Sequence, residues 1–252
     1  MQRIRIRYTK EGRTRYVSAR DLTSVWERAL RRADLPIAYS EGFTPHPKVS
    51  FPDALPVGVA STGEYAELTF AVPIDPGPGI AALSATLPTG MEILTYWEVP
   101  DGAPKLARML PATLWELEYE VLDASSDRIA QDLAELAERA LASHELTAQR
   151  ERANGEVRTV DVRAALEDLR VSIVDTTPLL RAVTRNDGPT VRPTDLHTAL
   201  SSLLSGRDDG RGLPEPRLHR RVAQGQIVAT GLREALSGEV ERLAPGRLAG
   251  AA

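Results

Sequence analysis

The chain has 252 residues, 42% of them hydrophobic and 26% charged, with a net charge of −4 and no cysteine. The absence of thiols excludes disulfides, cysteine nucleophiles, iron–sulfur clusters and thiolate zinc sites. Four scattered histidines, at 46, 144, 197 and 219, point to no metal site and no cofactor. No apolar run approaches the roughly 20 residues that span a bilayer, and the opening MQRIRIRYTKEG alternates charge with hydrophobe, unlike a signal peptide, so a cytoplasmic protein without a membrane partner is expected. Residues 1–52 hold eleven Lys/Arg against five Asp/Glu, which leaves the remaining 200 at net −10. A basic segment on an acidic body can steer an anionic partner.

IRIRYT (4–9) alternates with period two and predicts a strand. Ser18-Ala19-Arg20-Asp21 fits a capping box, and Leu22, Val25, Trp26, Ala29, Leu30 and Ala33 follow at helical spacing. IAYSEG (37–42) reads as a short strand, GEYAELTFAV (63–72) as an alternating one with Tyr65, Leu68 and Phe70 inward, GIAALSATL (79–87) as a short helix and MEILTYWEV (91–99) as a strand. VPDGAPK opens a linker over 101–111.

The grammar then restarts. LWELEYEVL (114–122) predicts a strand, 127–144 an amphipathic helix, LTAQRER (146–152) a strand, and Asn154-Gly155 a hairpin turn. A short helical insertion is expected after Val160-Asp161, with Asp161 and Arg163 bracing it. PLLRAVTR (178–185) reads as a strand, Arg192-Pro193-Thr194-Asp195 as a helix start and RLHRRVAQG (217–225) as the last strand. Residues 226–252 read as a tail, partly helical and then disordered. The expected fold is α+β, with two tandem ferredoxin-like (β-α-β-β-α-β) halves at 1–100 and 112–225.

The stretch YSEGFTPHPKVSFP (39–52) carries the chemistry. Pro45 and Pro47 fix their own φ and push Thr44 and His46 towards extended backbone. Phe43 and Phe51 are expected to anchor the loop ends in the core. The result is a stiff ridge that presents Thr44, His46, Lys48 and Ser50, groups suited to phosphate or ribose. Arg13, Arg15, Arg20, Arg28, Arg31 and Arg32 form a basic group, with 28, 31 and 32 at i, i+3, i+4 spacing, and guanidinium forks grip phosphates bidentately. Tyr16 and Tyr39 can stack bases. An architectural reading competes with this one: His46 may cap a backbone carbonyl in a merely stiff crossover, and the arginines may form a solvated face. No phosphate-loop, dinucleotide or nucleophile-elbow motif is present.

The run RTRYVSARDLTSVWERALRRADLPIAYSEGFTPHPKVSFPDALPVGVASTGEYAELTF (13–70) resembles the radical-SAM-linked protein family of bacteria. Val160-Asp161-Val162-Arg163 and Val191-Arg192-Pro193 fit the family's positions more loosely, and Ala19-Arg20 depart from its pattern. The resemblance implies a stand-alone form working with a separate radical SAM enzyme, since a chain without cysteine cannot carry that enzyme's cluster. The tandem arrangement is also similar to the repeat-processing RNA endonucleases of CRISPR systems. The expected function is therefore a non-catalytic RNA-binding accessory protein, its partners a tRNA or ribosomal RNA and a radical SAM enzyme. The alternatives are a metal-free endoribonuclease using His46 with Lys48 and Arg15 or Arg20, and a protein-only adaptor.

Overall fold

A computed structural model describes residues 1–53, 55–120, 126–151, 154–188, 190–204 and 212–243. The architecture is α+β, in two compact units. One comprises Met1–Leu110 with Glu234–Glu239, and the other comprises Pro111–Arg233 and the chain from Val240 onward.

The first unit runs β1 (Gln2–Lys10), α1 (Ala19–Arg32), β2 (Val49–Ser50), β3 (Ala60–Phe70), α2 (Pro76–Thr86) and β4 (Ile93–Glu98). Strand β1 is central, antiparallel to both β3 and β4, and β2 lies on the far side of β3. Helix α1 starts where its cap predicts: Ser18 Oγ accepts from the Asp21 N–H and donates to the Asp21 carboxylate. Its Leu22, Trp26, Ala29 and Leu30 are buried with Ile4, Ile6 and Tyr8 of β1 and Ala66, Leu68 and Phe70 of β3. Tyr8 meets Trp26 edge-on at 4.9 Å between ring centroids.

The opposite face of this sheet is covered too. Tyr65 points there, not into the helix-side core, because its odd position puts it on the other side of β3 from Leu68 and Phe70. It packs with Leu106 and Leu110 and donates to buried Glu234. Residues 101–110 are thus packed chain and not a free linker: Arg5, wholly buried, donates to the Pro104 carbonyl and to Glu67, and lies over the Trp97 ring.

Three expectations for this unit change. Ile37–Gly42 is not a regular strand. Only Ile37 and Tyr39 form isolated bridges, and the second strand is Val49–Ser50, because Ala38 exchanges backbone bonds with both Lys48 and Thr69 at one end and the prolines interrupt the ladder at the other. Helix α2 begins at Pro76, so Gly77 and Gly79 are helical and not turn material. Asp75 caps it, and proline is tolerated in a first turn. Phe43 anchors nothing and is fully exposed, whereas Phe51 packs against the core.

The second unit runs β5 (Ala112–Tyr119), α3 (Ser126–Ala142), β6 (Thr147–Glu151), β7 (Val157–Asp161), β8 (Leu166–Val174), β9 (Thr177–Arg185), α4 (Pro193–Ser202), β10 (Pro216–Val228), β11 (Gly231–Glu234) and β12 (Val240–Arg242). Its main sheet has the order β10-β5-β9-β8, while β6 and β7 pair only with each other, as the hairpin expected around Asn154-Gly155. The helical insertion expected after Asp161 is absent. Asp161 caps a turn at Ala164, Arg163 donates to the Ser143, Leu141 and Leu166 carbonyls, and Leu166–Val174 is a full strand on β9. Residues 226–243 are strand rather than helix, closing the apolar cluster Leu114, Val183, Leu232 and Leu243. The expected disordered end, 244–252, lies outside the described residues.

The two units carry one motif with its charges exchanged. Arg5 of β1 stands opposite Glu67 of β3 and is salt-bridged to it at 2.7 Å. Glu116 of β5 stands opposite Arg181 of β9, also at 2.7 Å.

Candidate functional site

Residues 37–50 form a stiff hairpin-like excursion. Ala38 accepts from the Lys48 N–H, the Ser40 N–H donates to the His46 carbonyl, and Ser40 Oγ accepts from the His46 N–H. These bonds hold Glu41–Pro45 as an exposed tip with Phe43 at its end. Tyr39 on the rising arm is 50% exposed.

His46 faces α1. Its Nδ1 lies 3.3 Å from Glu27 Oε1, and 63% of its side chain stays open to solvent. It therefore caps no backbone carbonyl. At about 100° per residue, Arg20 and Arg31 share a meridian of α1 with Glu27 and flank the His46 contact. Arg28 and Arg32 turn progressively away, and Arg32 donates to the Thr86 carbonyl of α2. The arginine group thus divides: Arg20 and Arg31 with the hairpin, Arg28 beside them, Arg32 committed to α2.

Before α1, a short 3-10 turn (Gly12–Tyr16) carries Arg13 and Arg15. The Arg15 guanidinium stacks on Tyr16 at 4.8 Å and donates to its hydroxyl, and Tyr16 is 59% exposed. Among the described residues, Arg13, Arg20, Arg28 and Arg31 have no ion-pair partner. The second unit contrasts with this, since its sheet arginines are neutralised: Glu116 binds Arg181 and Arg220, and Glu118 binds Arg217 and Arg220. Thr44 and Ser50 are exposed and Lys48 is half-buried, and the side chains of all three are without a hydrogen-bond partner among the described residues.

Beside the α1 N-terminus lies a cavity of about 210 Å³, lined by Lys10, Ala19, Leu22, Phe51, Asp53, Leu55 and Glu64. Lys10 and Glu64 are buried, at 2% and 3% exposure. They end the two core-facing columns, Ile4-Ile6-Tyr8-Lys10 on β1 and Phe70-Leu68-Ala66-Glu64 on β3, and Tyr8 pairs with Glu64 in the ladder. Lys10 Nζ reaches the Arg15 carbonyl at 3.5 Å. Sequence reading passed over Lys10, Asp53 and Glu64 as ordinary surface charges. The signal was present: period-two alternation carries both Lys10 and Glu64 onto the apolar register.

The second unit holds a separate polar cluster. Buried His197 lies 3.3 Å from the Tyr119 hydroxyl and 3.3 Å from Glu215. Burial pushes the Tyr119 phenol well up, with Glu215 adding to it. Burial also lowers the pKa values of His197 and His219, the latter further through His197, while Glu215 opposes both shifts. Among the described residues, no group of three or more His, Cys, Asp or Glu is placed to hold a metal ion, and no helix is long and apolar enough to cross a membrane.

The pattern of the bacterial family described as "Uncharacterized protein conserved in bacteria" (DUF2344) matches residues 3–193, and the chain belongs to that family. No curated protein matches it. Among solved structures it is similar to a chain of "Crystal Structure of a Cbf5-Nop10-Gar1 Complex", at 13% identity and a TM-score of 0.44 over 88% of this chain. It spans about half the length of that chain, 48%.

Proposed function

We propose that this member of the DUF2344 family is an RNA-binding accessory protein that grips single-stranded RNA with its first unit. The observation that carries the reading is the set of unpaired, exposed arginines (Arg13, Arg20, Arg28, Arg31) beside exposed rings at Tyr16, Tyr39 and Phe43. Guanidiniums hold phosphates and rings stack on bases, and that combination suits single strands, whose bases are free to stack. His46, Lys48, Thr44 and Ser50 add donors along the same hairpin, whose stiffness leaves little freedom to lose on binding. Resemblance to the radical-SAM-linked family supports a separate radical SAM enzyme as the partner to which the RNA is presented. Each unit is read as a ferredoxin-like half. The order β4-β1-β3 with β2 outside, the order β10-β5-β9-β8, and the exchanged Arg5–Glu67 and Glu116–Arg181 pairs support that reading.

The Glu27–His46 contact favours a second reading. A carboxylate on Nδ1 orients an imidazole and leaves Nε2 free, the arrangement of a general base, so a metal-free endoribonuclease competes. One experiment addresses both readings: titration of single-stranded and duplex RNA in a mobility-shift assay, with the products run on a gel in EDTA. The accessory reading expects tighter binding of the single strand and intact RNA. Discrete cleavage that disappears in His46→Ala would establish the nuclease instead, and no shift at low salt would refute RNA binding.

A further inference from the structure

We infer that the cavity beside the α1 N-terminus is a base pocket that takes one unstacked guanine from the bound strand. The inference rests on the RNA reading and gives it a specificity.

At about 210 Å³ the cavity is smaller than the roughly 300–1,000 Å³ of pockets that enclose drug-sized ligands. It is sized for a single ring system. Leu22, Leu55 and the Phe51 ring supply an apolar wall with one aromatic plane against which a base can stack.

The polar lining is one cation, Lys10, and two carboxylates, Glu64 and Asp53. Lys10 and Glu64 are almost wholly buried. Stability alone does not account for this choice, since replacing buried opposite charges with well-packed apolar residues is often neutral or stabilising. Ile4, Ile6 and Tyr8, or Ala66, Leu68 and Phe70, show what the same columns carry where only packing matters. Charged groups kept at the cavity end of both columns point to a ligand that needs them.

That ligand must offer an acceptor to an ammonium and donors to carboxylates. Among the four RNA bases only guanine carries a carbonyl acceptor next to two donor groups, its ring N–H and exocyclic amine, on one edge. Adenine and cytosine would set a ring-nitrogen lone pair against a carboxylate, and uracil has one donor between two acceptors. The location agrees. Ala19 of the lining precedes Arg20, and Lys10 Nζ touches the Arg15 carbonyl, so the phosphates flanking a base in the cavity would lie beside the unpaired arginines.

The test is fluorescence anisotropy with labelled oligouridines carrying one central guanine, adenine or inosine, the last lacking the exocyclic amine. The wild type is expected to prefer guanine over adenine by about tenfold, with inosine between them. Glu64→Gln and the exposed Asp53→Asn should each reduce that preference and leave the affinity for plain oligouridine unchanged. Should Glu64→Gln fail to fold by circular dichroism, Asp53→Asn and Phe51→Leu carry the test. Binding of oligouridine with no preference for guanine would overturn the pocket and leave the RNA reading standing. A preference that survives in all folded variants would also overturn it. Failure of every RNA to bind, with calorimetric binding of free guanosine abolished by Asp53→Asn, would keep the pocket and refute the RNA reading. Absence of both would refute both.

Discussion

Replacing Arg20 and Arg31 by glutamine removes two of the four unpaired guanidiniums of the proposed RNA face without touching the core. Both side chains are exposed. Arg20 sits in the first turn of α1, where a positive charge opposes the helix dipole, and Arg31 in the last turn, where it complements it. The two effects oppose each other, so the double variant should differ in stability by no more than about 0.5 kcal/mol. Binding should change far more. Four phosphate contacts on a single strand give a log–log salt slope of about −2.8, and two give about −1.4. Over a fourfold rise in salt the wild type would lose about 50-fold in affinity and the variant about sevenfold. Anisotropy titrations of a labelled single strand at several salt concentrations measure both slopes. Arg217→Gln, in the second unit and paired with Glu118, is the control and should leave the slope unchanged. Equal slopes for wild type and the Arg20/Arg31 variant would refute the placement of the phosphates on α1.

Other outcomes follow from the same structure. His46→Ala should weaken RNA binding by about 1 kcal/mol, the worth of one hydrogen bond, as read by the same titration; a loss of RNA cleavage in its place would mean that the histidine is catalytic. Gly90→Ala should lower stability in urea unfolding by about 2 kcal/mol, because φ is +93° there and a Cβ would lie 2.5 Å from the Glu11 carbonyl; an unchanged midpoint would show that this turn relaxes freely. Burial holds His197 and His219 neutral below the ordinary imidazole range, so the unfolded chain takes up their protons first as pH falls. The stability this contributes is fully present above about pH 6.5 and is lost as pH falls through the folded values. Urea midpoints at about pH 7.5 and about pH 5.5 should therefore differ more for the wild type than for His197→Phe, and an equal difference would contradict the assignment.

Much of the first unit is legible in its residues. Ser18 and Asp21 set the start of α1, the spacing of Leu22, Trp26, Ala29 and Leu30 sets its buried face, and the IRIRY alternation sets β1. The failures have physical causes. Leu166–Val174 contains Leu and Glu, good helix formers, yet it is a strand because pairing along β9 outweighs a local preference of a few tenths of a kcal/mol per residue. Tyr65 was set on the wrong face because aromatic character was weighed above parity. Phe43 was placed inside because hydrophobic side chains usually are, but the Ser40–His46 bonds close the hairpin beneath it and leave it outside. Lys10, Asp53 and Glu64 were missed because charge was equated with exposure. The Glu27–His46 contact joins residues 19 apart, a separation at which spacing alone carries no signal.

The most direct measurement is ultraviolet cross-linking of the purified protein to single-stranded RNA, followed by mass spectrometry of the linked peptides. Binding through the first unit predicts adducts at Tyr16, Tyr39 and Phe43, with none on the strands of the second unit. Adducts confined to the second unit, or no adducts under conditions where a known single-strand-binding protein gives them, would contradict it.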